Sequence, residues 1–453
     1  MNHLRRDNNY FKSHAADVKL EEISSSEEKK NILQMLCNDD LNNINIGGRS
    51  GFDYTTGDDL GWLGYFIGRS ENLRQLSFFS GSEEDEDIHN ICALSDGITR
   101  NRSIQQLFLH SFSEDAFPTI ARESNGLRII GSSVKELTIR CSIGSEGLSA
   151  LAAGLANCTG LERLDLGCNN FSRAAAGLRS LSYWLQKSAF KLDELSLNYC
   201  FINDEGLQAL TEGALDNCLK LSVQWSTNIT VSGWRYLSAS LQSESCCLEN
   251  LDLCMTQIGD DGAEVLAHGL VGNKTLKVLR LYVQDDSDIF ITAAGWSAFS
   301  KVLCDTSTIN NTYLSNHTII ELWEGYREDL DEELGKDVAF YLQLNLKHPQ
   351  YAARCKILMS HTHLEMTALL QLELKCLPLA VDWFERAKPC TALSIYEDDL
   401  SRRKQVLDEP EGVYQSRVLT ALYEFVRGVP KKVLDRRDEL ALVAAYDDKI
   451  AMV

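Results

Sequence analysis

Apolar residues recur along this chain in a compound pattern: a short alternating run, a polar joint, then a stripe at helical spacing. Val134/Leu137/Ile139, Leu192/Leu195/Leu197 and Leu248/Leu251/Leu253 are three such runs. Downstream come Ile143/Gly147/Leu151, Ile202/Gly206/Leu210 and Ile258/Gly262/Leu266, with Ile leading Gly by four residues and Leu by eight each time. In the second copy, alternation puts Leu195 and Leu197 on one face of a short strand and Glu194, Ser196 and Asn198 on the other. Cys200 and Ile202 are expected to turn inward at the strand exit. Asp204 is expected to cap a helix, and Gly206 to let that helix approach its neighbour closely. Leu207, Leu210 and Ala214 then give the helix an apolar stripe that packs back on the strand. One strand and one helix cannot bury these surfaces alone, so the copies must stack.

With the strand pattern as a ruler, ten repeats start at Leu41, Leu73, Ile104, Val134, Leu161, Leu192, Cys218, Leu248, Leu276 and Ile309. Their mean spacing is about 30 residues, long enough for a helix in each and near the upper end for leucine-rich repeats. The outer copies are degraded, the last reading Ile309-x-x-Thr312-x-Leu314. The pattern Ile-x-x-(Glu/Asp)-Gly-x-x-x-Leu-(Ala/Thr) followed by Leu-x-x-Leu-x-Leu resembles the ribonuclease-inhibitor-like class of leucine-rich repeat proteins, over residues 41–320. That resemblance implies an α/β horseshoe solenoid with strands on the concave face, helices on the convex face, and function through protein binding. No contact residue carries over from it.

Outside the repeats, residues 1–30 are polar and charged and read as a mobile tail. Ile32, Leu33, Leu36 and Cys37 fit a short cap helix, so the solenoid with its cap spans 31–320. From 321 to 453 the strand pattern stops and helical stripes take over: Val338/Tyr341/Leu342, Ala353/Ile357/Leu358, Leu364 to Phe384, and Val418/Leu422/Phe425. Pro378 should break or kink the third, and 391–413 reads as a loop. This is a C-terminal α-helical module.

Composition points to a reduced, cytoplasmic protein. Fourteen cysteines are present, yet no C-x-x-C pair occurs. Cys141, Cys168 and Cys200 sit just past strands, where a small buried thiol fits. The first residues lack an apolar signal core, and no run of about 18 apolar residues could span a membrane. The Asn-x-Ser/Thr sequences at Asn101, Asn157, Asn170, Asn228, Asn273, Asn310 and Asn316 therefore read as coincidences of an Asn-rich repeat. No phosphate loop, nucleophile elbow or metal-ligand spacing is present. His361-Thr-His363-Leu-Glu365 reads as packing polarity, because histidines two apart diverge on a helix. No metal, cofactor or catalytic residue is expected.

Net charge adds direction. It is −21, from 65 acidic and 44 basic residues. Acids gather where strands exit: Glu83, Glu84, Asp85, Glu86 and Asp87, then Glu114-Asp115, Asp204-Glu205, Asp260-Asp261, and Asp285-Asp286 with Asp288. Stacked repeats would align these on one rim and sum their fields, steering a basic protein in and repelling nucleic acid or an anionic membrane. For Asp204 and Asp260 the plainer reading is helix capping. Concave positions that flank the inward leucines include Phe79, Phe108, His110, Arg140, Arg280, Tyr282 and Tyr313, a set rich in interface-anchor types. Exposed aromatics on a sheet face call for a cover, either a partner or the terminal segments folding over them. The sequence thus reads as a non-enzymatic scaffold for a basic protein partner. A GTPase-activating leucine-rich repeat protein is the alternative. A ubiquitin-ligase adaptor would need an F-box-like segment of about 40 residues before the first repeat, and the region before Leu41 reads as too short and polar for one.

Overall fold

In the computed structural model, the residues described are 8–17, 27–46, 57–79, 88–110, 133–140, 142–156, 158–282, 291–323, 335–347 and 352–361, with single positions 19, 23 and 349. Ten short strands, β1 (Asn43–Ile46), β2 (Gln75–Phe79), β3 (Gln106–His110), β4 (Glu136–Arg140), β5 (Arg163–Asp165), β6 (Glu194–Ser196), β7 (Lys220–Ser222), β8 (Asn250–Asp252), β9 (Val278–Arg280) and β10 (Glu321–Trp323), form one sheet in chain order. From β1 to β9 every neighbouring pair is parallel. Leu107, Leu137, Leu164, Leu195, Leu221, Leu251 and Leu279 face one another across successive strands, all buried. Each such leucine contributes roughly 1.5–3 kcal/mol by leaving water, which sets the register. A slip by one residue would turn the whole row to solvent.

Helices alternate with the strands along the chain. Those described are α1 (Asn8–His14), α2 (Glu27–Cys37), α3 (Gly57–Ile67), α4 (Ile88–Arg100), α5 (Ser145–Leu155), α6 (Ala175–Lys187), α7 (Asp204–Thr211), α8 (Val231–Leu241), α9 (Gly259–Leu270), α10 (Ala293–Leu303), α11 (Ile309–Leu314), α12 (Gly335–Lys347) and α13 (Ala352–Ser360). The Ile–Gly–apolar spacing occurs in two further copies, Ile229/Gly233/Leu237 and Ile291/Gly295/Phe299, whose flanking apolar residues are all buried.

The helix starts differ from the sequence expectation. Asn203, not Asp204, caps α7, its Oδ1 accepting from the Gly206 N–H at 3.0 Å. Asp204 instead serves the next repeat, accepting from the Thr230 N–H (2.7 Å) and hydroxyl (2.6 Å). Asp260 accepts likewise from Thr292 at 2.8 and 2.6 Å. Glycine at 233 makes room for this link, since a Cβ there would lie 2.5 Å from Asp204 Oδ1. Gly206 itself faces side chains of Leu178, Ile202 and Asn203 rather than a neighbouring backbone.

A buried asparagine three residues ahead of a strand's leading apolar residue pins the helix-to-strand turn. Asn101 accepts from the Ser103 and Ile104 N–H groups, both at 2.7 Å. Asn273 accepts from Thr275 and Leu276 at 3.1 and 2.8 Å, and Asn316 from Thr318 and Ile319 at 2.9 and 3.0 Å. The Ser or Thr two residues on makes each an Asn-x-Ser/Thr sequence, so three of the seven owe their spacing to this turn. All three asparagines are buried.

By packing, the chain divides into two compact units, Met1–Thr292 with Leu322–Gly325, and Ala293–Glu321 with Tyr326–Val453. In the first, the N-terminal stretch is not uniformly polar tail. Residues 8–14 are helical, and Phe11 is buried with its ring 5.1 Å from that of Trp62. The cap helix α2 buries Leu33 and Leu36 but leaves Cys37 exposed. In the second unit, Ile309-x-x-Thr312-x-Leu314 satisfies the strand spacing yet forms helix α11, capped by the Thr308 hydroxyl accepting from the Asn311 N–H at 3.0 Å. The tenth strand starts later, behind Asn316 and the buried Ile319. The stripes expected at 338–342 and 353–358 lie on α12 and α13; those at 364–384 and 418–425, and the loop at 391–413, lie outside the described residues.

Candidate interaction surface

The outward positions of the parallel strands line up in rows. One runs Ser77, Phe108, Thr138, Asp165 and Ser196, then Ser222, Asp252 and Arg280. Another sets Phe79, His110 and Arg140 side by side at the ends of β2, β3 and β4. The sequence-derived residues thus split into groups. Phe79, Phe108, His110 and Arg140 come together. Arg280 and Tyr282 lie six strands from β3, roughly 29 Å along the sheet at about 4.8 Å per strand. Tyr313 is not on the sheet at all: it sits on α11 in the second unit, 62% exposed.

Within the first group, Phe108 and His110 are half-buried and Arg140 is exposed. Burial holds the His110 imidazole below its usual range, helped by the charge of Arg140 and opposed by that of Asp165; the net shift favours the neutral ring. Arg140 Nη2 donates to Asp165 Oδ2 at 2.8 Å, which keeps its charge in place. At the other end Arg280 pairs with Asp252 at 3.7 Å, and Gln224 Nε2 donates to Asp252 Oδ2 at 2.8 Å. Asn198 Oδ1 accepts from the Ser222 hydroxyl and the Gln224 N–H at 2.6 and 2.9 Å. The solvent-exposed Arg140–Asp165 pair adds little stability, about 0–1 kcal/mol. The effect of these contacts is to order polar side chains across the strand face.

Past the strand ends lies a feature the alternation rule missed. Four residues beyond the central leucine of β5, β6, β7 and β8 stand Cys168, Tyr199, Trp225 and Met255, with φ of 62°, 59°, 63° and 60°. The left-handed region costs a non-glycine residue about 1–3 kcal/mol, and bulky side chains avoid it. The sheet ladder enforces it here: the Cys168, Tyr199 and Trp225 N–H groups donate to Asn198, Gln224 and Cys254 carbonyls at 2.8, 2.9 and 3.2 Å. Tyr199 and Trp225 stack with centroids 5.2 Å apart and planes 18° from parallel. Phe201 is also left-handed, and Tyr199 and Phe201 are 46% and 50% exposed. Cys168 is exposed rather than buried, because the same turn reverses the facing that alternation assigns. Reading the residue four past each central leucine would have found the ridge.

Of the expected acidic rim, residues 83–87, 114–115 and 285–288 lie outside the described residues. Asp204 and Asp260 are engaged with Thr230 and Thr292, as above. Glu205 and Asp261, the next residue in each case, are exposed. Buried thiols are poor nucleophiles: desolvation raises Cys158 to about 11 and Cys200, Cys218 and Cys254 to about 12. Among the described residues no group of His, Cys, Asp and Glu is arranged to hold a metal, and no helix is long and apolar enough to cross a membrane.

A family model described as Leucine Rich repeat matches residues 189–210 and 244–267, the stretches that hold β6 with α7 and β8 with α9. The chain carries leucine-rich repeats. Leucine-rich repeat domains generally mediate contacts between proteins. The chain is also similar to the mouse (Mus musculus) "NACHT, LRR and PYD domains-containing protein 12", 28% identical over 176 residues. That match spans 38% of this chain and 16% of the relative's length.

Proposed function

We propose that this leucine-rich repeat protein is a non-enzymatic cytoplasmic scaffold, of the ribonuclease-inhibitor-like class, that holds a basic protein partner against its strand face. The observation that carries the reading is the clustering of Phe79, His110 and Arg140 on adjoining strands, with Phe108 one step inward. An aromatic and a guanidinium on a rigid sheet lose little entropy on binding and make strong anchors. The charge of −21 supports a basic partner, with the acids of the strand-exit loops, Glu83 to Asp87 included, raising its capture rate. The free cysteines, most of them buried, support a reducing compartment.

Affinity capture from cytosolic extract at low and high salt, with the bound protein identified by mass, tests the reading. Against that recovered protein, Phe108→Ala or Tyr282→Ala should raise the dissociation rate at least about 30-fold, as for an anchor worth about 2 kcal/mol. Replacing Glu83, Glu84, Asp85, Glu86 and Asp87 with Gln and Ser should lower the association rate and flatten its salt dependence. Unchanged kinetics in all three variants would move the binding surface off the strand face.

A further inference from the structure

We infer that the left-handed ridge of Tyr199, Phe201, Trp225 and Met255 is a docking surface for an extended basic peptide segment, whose Lys and Arg side chains stack on the rings and pair with Glu205 and Asp261. The inference rests on the protein-binding reading above and adds where, and by what chemistry, a partner is gripped.

Three observations converge on it. Tyr199, Trp225 and Met255 stand at matched places in three successive repeats, with Phe201 two residues past Tyr199, so the ridge is a ladder with strand-spaced rungs rather than scattered exposed apolar groups. A segment crossing the repeats would meet a rung about every 4.8 Å, between one and two residues of an extended chain at about 3.3 Å each. Second, the backbone is held in a conformation that favours Asn or Gly, yet Tyr, Phe, Trp and Met occupy it. Packing does not demand Tyr199 or Phe201, which are half in solvent while the apolar residues beside them, Leu197, Cys200 and Ile202, are fully buried. Third, the charge is one-sided. The strand-exit segments 166–174, 197–205, 223–230 and 253–261 carry four carboxylates, Asp204, Glu205, Asp260 and Asp261, against one guanidinium, Arg173. Asp204 and Asp260 are occupied by Thr230 and Thr292. Glu205 and Asp261 are exposed, and among the described residues neither side chain has a hydrogen bond or ion pair. Ring faces with carboxylates nearby attract a cation through the ring quadrupole and Coulomb terms together. The choice falls on a basic segment over an apolar one, since an apolar partner would leave those carboxylates to be desolvated without compensation.

The test uses the full chain and a fluorescein-labelled extended peptide of alternating Lys/Arg and Ala, with two controls of equal length: the same peptide with Glu for each cation, and a neutral Leu/Gln peptide. Fluorescence anisotropy at physiological salt should show saturable binding of the basic peptide alone. Tyr199→Asn and Trp225→Asn keep a residue that tolerates the left-handed turn, so thermal stability should hold or rise while each raises Kd about tenfold. Glu205→Gln with Asp261→Asn should do the same and flatten the salt dependence. Three results overturn the proposal: no binding of the basic peptide, equal binding of the neutral one, or a Kd indifferent to the ridge variants. Loss of a self-associated species in Trp225→Asn, seen by sedimentation in the absence of peptide, would also overturn it in favour of a second copy of this chain. If the peptide binds but only Phe108→Ala weakens it, the ridge fails and the strand-face reading stands. If the ridge variants weaken it while the Phe108 and Tyr282 variants bind their recovered partner normally, the reverse holds.

Discussion

Lys356 illustrates how much a single position can carry. It is fully buried in the second unit, where its Nζ donates to the Leu303 and Asn316 carbonyls at 2.6 and 3.0 Å and reaches His317 Nδ1 at 3.2 Å. His317 Nε2 in turn lies 3.1 Å from the Tyr313 carbonyl, so the imidazole donates there and presents its other nitrogen to the lysine. Burial brings Lys356 down to about 7, and burial with the lysine's charge brings His317 down to about 4. Both folded values lie below the unfolded ones, so the unfolded chain binds more protons and stability rises with pH. The windows are about 4 to 6.5 for His317 and about 7 to 10.5 for Lys356. The denaturation midpoint of the second unit should climb through both, and Lys356→Met should abolish the upper rise. A midpoint in the parent chain that is flat from pH 7 to 10 would contradict the buried setting. None of this was legible in sequence, where a lysine on a helical stripe reads as solvent-facing.

At the scale of elements, the central leucines set the strands, and Leu195 is the sharpest case. Its side chain is fully buried between Leu164 and Leu221 of the adjoining strands. Leu195→Ala should cost about 2–5 kcal/mol through lost burial and the cavity left behind, and hydrogen exchange should quicken in β5, β6 and β7 but not in β1 or β2, because repeats support only their neighbours. Unchanged thermal stability would mean the register is wrong. Period-two alternation located β1 to β9 because each buries the same face. It failed at Ile309 because spacing alone cannot tell a short strand from a helical turn. There the Thr308 cap decided, and the Asn-x-x-Ile signal at Asn316 marks the true start. Alternation also fails where the chain leaves extended geometry, which is why the Tyr199 and Trp225 positions went unread while Phe108 and His110 were found.

For the molecule as a whole, thiol reactivity is the simplest check on the burial pattern. Cys37 and Cys168 are exposed and should react with a disulfide reagent at neutral pH within the mixing time of a slow assay. Cys158, Cys200, Cys218 and Cys254, with their thiols pushed up to about 11 or 12, should wait on local opening. Fast labelling of all six in the folded chain would refute the packing described. The sequence by itself determined the repeat, the strand register, the buried rows and the acidic balance, because these follow from which residues must leave water and at what period. Tertiary structure alone decided which acids are consumed in linking one repeat to the next, as Asp204 and Asp260 are, and which aromatics face solvent. Those outcomes depend on contacts between residues some 25 to 35 positions apart and on backbone angles imposed by the neighbouring strand, neither of which is written in any local stretch of chain.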